Sequence, residues 1–183
     1  KARLVAGTYM MVFKSELMFF ADPVINIDPS AQELAEIALC TAETARSFDV
    51  EPRVAMLSFS NFGSSRHPQA DKVRQATKIV QQRAPDLVVE GEMQADLALT
   101  PSMLEEAYPF AELKGRANVL VFPDLSSANV AYKLTQCLAG AEAVGPILMG
   151  FDKPVHLMPS NSTVEQIVQL TAVAVVDAQQ SSD

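Results

Sequence analysis

The stretch "RVAMLSFSNFGSSRHPQADKVRQATKIVQQRAPDLVVEGEM", residues 53–93, decides the fold class. It opens with a strand of the buried type, RVAMLSF, followed by a polar loop. The next segment, QADKVRQATKIVQQRA, has its apolar residues on one stripe, which is typical of an amphipathic helix. A second strand, DLVVEGEM, comes after it. A strand, a helix and a strand in this order predict an α/β domain with a largely parallel sheet.

The same alternation extends outwards from this stretch in both directions. Upstream, RLVAGTYMMVF and ELMFFADPVIN are two extended runs around Lys14 and Ser15, which predicts an antiparallel hairpin at the N-terminus. From residue 30 onwards helices and strands alternate, and Ser30 and Glu33 form a capping box for the first helix. We predict a last short strand, KPVHLM, and an overall three-layer α/β/α architecture.

The last predicted helix is apolar nearly all round. We place its start at a second capping box, Ser162 to Glu165. A helix of this kind is buried on most sides. We therefore expect an α/β subdomain over residues 1–162 and a C-terminal helix over 163–183 that packs on another part of the protein or on a partner. A central core helix is an equally good interpretation.

Composition excludes several classes of protein. The formal net charge of −8 argues against binding to nucleic acid, and no apolar run is long enough for a membrane span. The chain has only two histidines, so a multi-histidine metal site is close to excluded. Cys40 and Cys137 are far apart in sequence, which argues against a disulfide framework or a zinc site and favours the cytoplasm. We expect both to be inert core thiols.

Polar loops follow several of the predicted strands. Ligands of open α/β sheets bind beyond the carboxyl ends of the strands, so these loops are the candidates for a binding cleft. The loop after RVAMLSF offers short donors and backbone N–H groups that suit a phosphate or another anion. An ordinary turn rich in glycine and serine is a slightly better interpretation of this loop alone. The residues concerned are Ser58, Ser60, Asn61, Gly63, Ser64 and Ser65.

The charged candidates are equally open. Glu90, Glu92 and Asp96 could act in acid–base chemistry or bind a divalent cation, but a solvated acidic turn with carboxylates at a helix start explains them better. We expect His156 to be a hydrogen-bonded strand residue, and Lys153 to reach a phosphate or simply be exposed. The residues alone thus predict a polar cleft without evident catalytic machinery, and leave anion binding open as one interpretation of it.

A resemblance covers essentially the whole chain. The segments "ADPVINIDPSAQELAEIALCTAETAR", "VAMLSFSNFGSS", "PDLVVEGEMQADLAL" and "KPVHLMPSNSTVEQIVQLTAVAVVDAQ" resemble, in order, the C-terminal half of the phosphate acetyltransferase (phosphotransacetylase) family. Within that family, "SNFGSS", "GEMQADLAL" and "GPILMGFDKPVH" look most like the phosphotransacetylase-like region of bacterial hybrid NADP-dependent malic enzymes. The resemblance implies an isocitrate/isopropylmalate dehydrogenase-like fold and a homo-oligomer, at least a dimer.

The loop after KPVHLM departs from the family pattern. Active members carry Ser-Arg-Gly there, with an Asp six residues after the Arg, and a second Arg on the helix after FPDL. The resemblance places Pro159 at the family's Ser, Ser160 at the Arg that follows it and Gln166 at the Asp. It places Cys137 at the Arg on the helix after FPDL. Acetyl transfer needs a base for the thiol proton and cations on the phosphate. We therefore expect no catalytic residue in this chain.

Loss of catalysis does not imply loss of ligand binding. The resemblance implies that acetyl-CoA binds as a regulatory ligand, and that this chain itself holds no cofactor and no metal. NADP and a divalent metal are expected only in a malic enzyme domain that precedes it and is its partner. An active phosphate acetyltransferase and a purely structural assembly module are the alternatives. The predicted ligand positions are Ser60, Asn61, Gly63, Ser64, Asn129, Lys153 and Ser160.

Overall fold

The secondary structure alternates as the sequence predicts. A computed structural model of the protein describes residues 4–160 and 162–180. The strands are β1 (Ala6–Val12), β2 (Leu17–Ala21), β3 (Arg53–Leu57), β4 (Val88–Met93), β5 (Val119–Val121) and β6 (Glu142–Met149). The helices are α1 (Ala31–Ser47), α2 (Pro68–Arg83), α3 (Ala95–Leu99), α4 (Pro101–Ala107), α5 (Leu125–Ala139) and α6 (Val164–Gln180). The prediction of an α/β fold is confirmed.

The sheet is mixed and mostly parallel. Its strands lie in the order β4-β3-β5-β2-β1-β6. Strand β1 runs antiparallel to both of its neighbours, whereas the pairs β2–β5, β5–β3 and β3–β4 are parallel. The predicted N-terminal hairpin is therefore confirmed. Since β2 to β6 all run in one direction, their carboxyl ends lie at the same edge of the sheet, where ligands of α/β proteins bind.

Helices cover both faces of the sheet. Neighbouring residues of a strand point to opposite faces, and on β2 Phe19 packs into one core with α1 and α2 while Phe20 packs into the other with α3 and α4. Leu34 of α1 and Leu104 of α4 are both essentially inaccessible to solvent. The three-layer arrangement is therefore confirmed.

One of the two predicted capping boxes is displaced by one residue. Ser30 and Glu33 cap α1 as predicted, with the Glu33 N–H donating to Ser30 Oγ and the Ser30 N–H donating to Glu33 Oε2. At α6 the box consists of Thr163 and Gln166. The predicted pairing of Ser162 with Glu165 is wrong because the Ser162 hydroxyl donates to the carbonyl of Pro159 instead.

The predicted strand KPVHLM is wrong as well. His156 forms a single antiparallel bridge with Ile147 of β6, and no ladder extends from it. Pro154 has no N–H to donate, and Pro159 ends the segment shortly afterwards, so a longer ladder lacks donors on both sides. The segment is therefore an extended loop along the edge strand.

Helix α6 lies on the surface of the described domain. Leu170 and Val173 are buried, whereas Val164 and Val168 expose 79% and 62% of their surface. The interpretation of α6 as a central core helix is therefore wrong. Packing of residues 163–183 on a further segment stays a prediction, and residues 181–183 lie outside the described range. None of the helices described is both long and apolar enough to cross a membrane.

Candidate functional site

The loop after β6 lines a cavity of about 250 Å³. The positions at which the resemblance places the family's serine and aspartate, Pro159 and Gln166, both lie on its wall. None of the lining residues carries a charged side chain. The loop contributes Met158, Pro159, Ser162 and Gln166, and the body of the domain contributes Tyr9, Tyr132, Gln136, Ala143 and Gly145.

A β-bulge shapes the wall opposite the loop. In the ladder between β1 and β6, Thr8 pairs with Ile147 and Met10 pairs with Val144, so Tyr9 alone faces two residues. Bulges of this kind re-aim a side chain and are frequent beside active sites. Gly145, in the bulge, has a φ of +149°, and a Cβ atom there would lie 2.9 Å from Cδ1 of Tyr9. Only glycine therefore leaves room for the Tyr9 ring at this place.

Two tyrosine rings form the floor of the cavity. The rings of Tyr9 and Tyr132 are stacked, with centroids 4.5 Å apart and planes inclined by 14°. Burial, and in second place the neighbouring Tyr132 phenol, raise the pKa of Tyr9 above its ordinary value. Tyr9 therefore keeps its proton at neutral pH, and its hydroxyl stays a hydrogen-bond donor. Lys133 Nζ lies 5.8 Å from the centroid of the Tyr132 ring, but Lys133 does not line the cavity.

The four family positions lie in different surroundings. Gln166 Oε1 accepts the N–H of Thr163, so the residue at the family's aspartate position caps α6. Ser160 is exposed in the loop. Cys137 is exposed on α5, so the prediction of a core thiol is wrong for Cys137, whereas it is confirmed for the buried Cys40. The loop residue Asn161 lies outside the described residues.

The loop between β3 and α2 is organised around the buried carboxylate of Glu92. Its Oε1 accepts hydrogen bonds from Ser60 Oγ (2.8 Å), Gly63 N (2.9 Å) and Arg74 Nη2 (3.0 Å), and its Oε2 accepts one from Arg74 Nε (2.9 Å). Burial by itself raises the pKa of Glu92, but the bonds from Arg74, Gly63 and Ser60 outweigh it and lower the pKa below its ordinary value. Glu92 is therefore an ionised anchor of this loop.

Most of the backbone donors of this loop are already in use. The N–H of Asn61 donates to Ser64 Oγ, that of Ser65 donates to Ser60 Oγ, and that of Gly63 donates to Glu92. The expectation of free N–H groups for a phosphate is therefore wrong for these residues. The structure brings the predicted ligand residues Ser60, Asn61, Gly63 and Ser64 together in this one loop, and their role in ligand binding stays a prediction.

The remaining predicted ligand residues are dispersed. Asn129, in the first part of α5, donates a hydrogen bond from Nδ2 to the carbonyl of Pro23. Lys153 lines a different cavity of about 370 Å³, between α1, β6 and α6. His156 Nε2 lies 3.2 Å from Asp177 Oδ2, although the atoms are not aligned for a hydrogen bond.

The other acidic candidates have structural partners. Glu90 is nearly buried and accepts the N–H of Glu112, and burial raises its pKa. Asp96 Oδ1 accepts the N–H of Leu97 at the start of α3. Within residues 4–160 and 162–180, no group of three or more His, Cys, Asp or Glu side chains is placed to hold a metal ion. The interpretation as a solvated acidic turn is wrong for Glu90 and Glu92, which are buried, whereas Asp96 does lie at a helix start.

Sequence reasoning missed the body of the cavity. The sequence predicts Tyr9 on a strand and Tyr132 on a helix but assigns neither of them to a site, and it assigns no role to Gln136. The one available signal is Gly145-Pro146 inside the strand GPILMG, because a glycine within a strand pattern often marks a bulge or a close approach.

Several known proteins are similar to this chain in sequence and in fold. A family model described as "Phosphate acetyl/butaryl transferase" matches residues 1–175. The chain is 45% identical over 173 residues to the phosphate acetyltransferase of Bacillus subtilis (94% of this chain, 54% of that protein). It is 48% identical over 162 residues to the NADP-dependent malic enzyme of Escherichia coli (88% of this chain, 21% of that protein).

The structural comparison agrees with these sequence matches. The crystal structure of a phosphotransacetylase from Streptococcus pyogenes aligns with a TM-score of 0.93 at 46% identity, over 97% of this chain and 54% of that one. The chain thus spans about half the length of the acetyltransferases and about a fifth of the length of the malic enzyme. By sequence and by fold, the chain belongs to the phosphate acetyl/butaryl transferase family.

Proposed function

We propose that this chain is a regulatory phosphotransacetylase-like domain, which binds acetyl-CoA without transferring its acetyl group. The observation that carries the proposal is the uncharged lining of the cavity beside Pro159 and Gln166. Transfer between acetyl phosphate and coenzyme A requires a base for the thiol proton and positive charge for the phosphate. Loss of one positioned donor costs about a hundredfold to a thousandfold in rate, so loss of several abolishes measurable turnover.

The parent protein in this proposal is an NADP-dependent malic enzyme. The 48% identity to the Escherichia coli enzyme supports this assignment. NADP, a divalent metal and the oxidative decarboxylation of malate then belong to a preceding domain, which is the partner of this one. Regulation requires that acetyl-CoA bind two states of the protein with different affinity. Neither Cys40 nor Cys137 forms a disulfide within the described residues, which supports a cytoplasmic location.

Oligomerisation is the second part of the proposal. Exposed apolar side chains lie on α6, among them Val164, Val168 and Val175, and at a spacing of four residues on α5. Contiguous exposed apolar surface is typical of contact with further polypeptide. The α5 residues are Val130, Leu134 and Leu138. These faces support packing on the preceding half of the domain and on a second copy.

Two alternatives have observations in their favour. An active phosphate acetyltransferase is favoured by the 45% identity to the Bacillus subtilis enzyme over 94% of this chain. It predicts acetylation of coenzyme A from acetyl phosphate. A purely structural assembly module is favoured by the exposed apolar faces of α5 and α6. It predicts an oligomer that binds no CoA ester.

A calorimetric titration of acetyl-CoA into the full-length protein tests the proposal. We expect saturable binding, no acetyl transfer, and loss of binding when Ser160 in the loop is replaced by Trp. Ser102→Trp is the matched control, because Ser102 is also an exposed serine and lies on α4, outside the lining of the cavity. Measurable acetyl transfer would establish the first alternative, and absence of binding with the oligomer intact would establish the second.

A further inference from the structure

We infer that the cavity at the amino ends of β2, β3 and β5 is a second binding site, which takes an organic monocarboxylate with an apolar body. The cavity has a volume of about 440 Å³. Because β2, β5 and β3 run parallel, it lies at the opposite edge of the sheet from the loop between β6 and α6. The inference is independent of the proposed function.

The charged side chains that line this cavity sum to a positive charge. Arg53 and Arg116 contribute two positive charges and Glu16 contributes one negative charge, which leaves one positive charge. The whole chain, by contrast, has a formal net charge of −8. The positive cavity is therefore a local feature, and an anion that approaches this acidic domain is attracted here rather than to its general surface.

The uncompensated charge belongs to Arg53. Arg116 Nη1 donates to Glu16 Oε1, so these two side chains neutralise each other. Arg53 Nε donates to the carbonyl of Arg116 (2.7 Å), and within the described residues no carboxylate pairs with this guanidinium. The neighbouring Glu51 pairs with Arg46 instead. A guanidinium presents its donors in a planar fork that matches a carboxylate, so the terminal N–H groups of Arg53 are available for one.

The position of Arg53 is fixed before a ligand arrives. Asn118 is 8% exposed, and its side chain ties the start of β3 to the start of β5. Its Oδ1 accepts the N–H of Arg53 (2.7 Å), and its Nδ2 donates to the carbonyl of Glu51 (2.9 Å). Together with the bond from Arg53 Nε to Arg116, these contacts hold the guanidinium at the cavity wall. A preorganised donor loses less conformational freedom on binding.

The rest of the wall is largely apolar and suits the body of an organic ligand. It is formed by Phe13, Leu17, Val50 and Ala117. Sites for organic ligands have volumes of about 300–1,000 Å³, and this cavity falls within that range. An inorganic anion would leave the apolar wall in contact with water, whereas an alkyl or aryl group removes it from water.

The number of charges favours a carboxylate over a phosphate. One carboxylate balances the one uncompensated positive charge of the cavity. A phosphate dianion would bring a second negative charge that has no cation beside it, and a desolvated charge without a partner is strongly disfavoured. The ligand class is therefore a monocarboxylate that carries several carbon atoms.

The test compares small probes by calorimetric titration of the full-length protein. Hexanoate has both the carboxylate and an apolar body, acetate has only the carboxylate, and hexanamide has only the body. We expect saturable binding of hexanoate, and binding of acetate and of hexanamide that is weaker by about tenfold or more. Inorganic phosphate should not displace hexanoate at equal concentration.

Three variants locate the site of hexanoate binding. Arg53→Met removes the uncompensated charge and should weaken binding by about tenfold or more. Glu16→Gln releases Arg116 and should strengthen binding about threefold, a gain that a folding defect cannot imitate. Arg83→Met is the matched control, because it changes the net charge as Arg53→Met does but lies outside the cavity lining. It should leave the affinity unchanged.

Unchanged affinity in Arg53→Met, or no gain in Glu16→Gln, would overturn the inference. Binding of acetate or phosphate as tight as that of hexanoate would overturn it as well. A titration of hexanoate in the presence of saturating acetyl-CoA separates the inference from the proposed function. Hexanoate should bind equally well, and its displacement would mean that it occupies the acetyl-CoA site and would overturn the inference. Failure of acetyl-CoA itself to bind would overturn the proposed function alone.

Discussion

Replacing Arg74 by Met leaves the Glu92 carboxylate buried without its cation, and we expect this to cost about 3 kcal/mol of unfolding free energy. The Glu92 side chain is 0% exposed and the Arg74 side chain 30% exposed. Breaking a buried ion pair costs about 3–5 kcal/mol. The partial exposure of Arg74 places this pair at the lower end of that range, since water can replace part of the lost interaction.

Urea unfolding and thermal unfolding, both followed by circular dichroism, measure the change in stability. For a domain of this size, about 3 kcal/mol corresponds to a fall in Tm of roughly 6–12 °C. Arg83→Met is the matched control, because Arg83 lies on the same helix and pairs with Glu36 at the surface with 50% of its side chain exposed. Exposed pairs contribute about 0–1 kcal/mol, so the control should unfold nearly as the parent does.

A double-mutant cycle with Glu92→Gln separates the pair from its surroundings. The double variant Arg74→Met/Glu92→Gln should be more stable than the sum of the single effects predicts, because the neutral amide needs no cation. The reasoning is refuted if Arg74→Met costs no more than Arg83→Met, or if the two single effects simply add.

The pH dependence of stability gives an independent reading of the same carboxylate. The folded-state pKa of Glu92 lies below that of the unfolded chain. Its contribution is therefore fully present above the ordinary glutamate pKa and is lost as the pH falls through the folded value. In Glu92→Gln the loss of stability on acidification should be smaller than in the parent. An identical acid limb in parent and variant would contradict the assignment of an ionised anchor.

Three further predictions concern the helix cap, a buried acid and the thiols. Thr163→Ala removes the cap that pairs with Gln166 and should cost about 1 kcal/mol in urea unfolding, whereas Thr163→Ser should cost much less; equal costs would contradict the cap. Burial raises the pKa of Glu90, so the protein should lose stability as the pH rises from the unfolded-state pKa towards the folded-state pKa of this carboxyl group. In Glu90→Gln, the free energy of unfolding measured from pH 4 to 7 should show a smaller loss. A thiol reagent should label Cys137 in the native protein and Cys40 only after unfolding, and labelling of both at one rate would contradict the structure.

Periodicity was sufficient to predict the architecture. The alternation of buried strands with amphipathic helices over residues 53–93 predicts parallel pairing, and the structure has β3 and β4 paired in parallel. The capping box of α1 was predictable because Ser30 and Glu33 are alone in fitting the pattern at that helix start. At α6 two overlapping choices fit, and the hydroxyl of Ser162 was claimed by the loop carbonyl of Pro159.

The candidate site was less predictable, because its parts are joined by tertiary contacts. The sequence places Pro159 and Gln166 near a ligand only through the family resemblance, and the structure puts both on one cavity wall. The opposite wall depends on the bulge that sets Tyr9 against Gly145. Local sequence does not encode which residue of a neighbouring strand a bulge will face. For the Ser60–Ser65 loop, the sequence predicts free hydrogen-bond donors that the structure does not have. These donors are bonded to Glu92 and to other residues of the loop.

The central claim, binding of acetyl-CoA without transfer, is tested most directly by equilibrium dialysis of acetyl-labelled acetyl-CoA against the full-length protein in phosphate buffer. The measurement yields both the amount of ligand bound and the chemical identity of the label at the end. The account predicts saturable binding with all of the label recovered as acetyl-CoA. Label recovered as acetyl phosphate, or no bound label at saturating ligand, would contradict it.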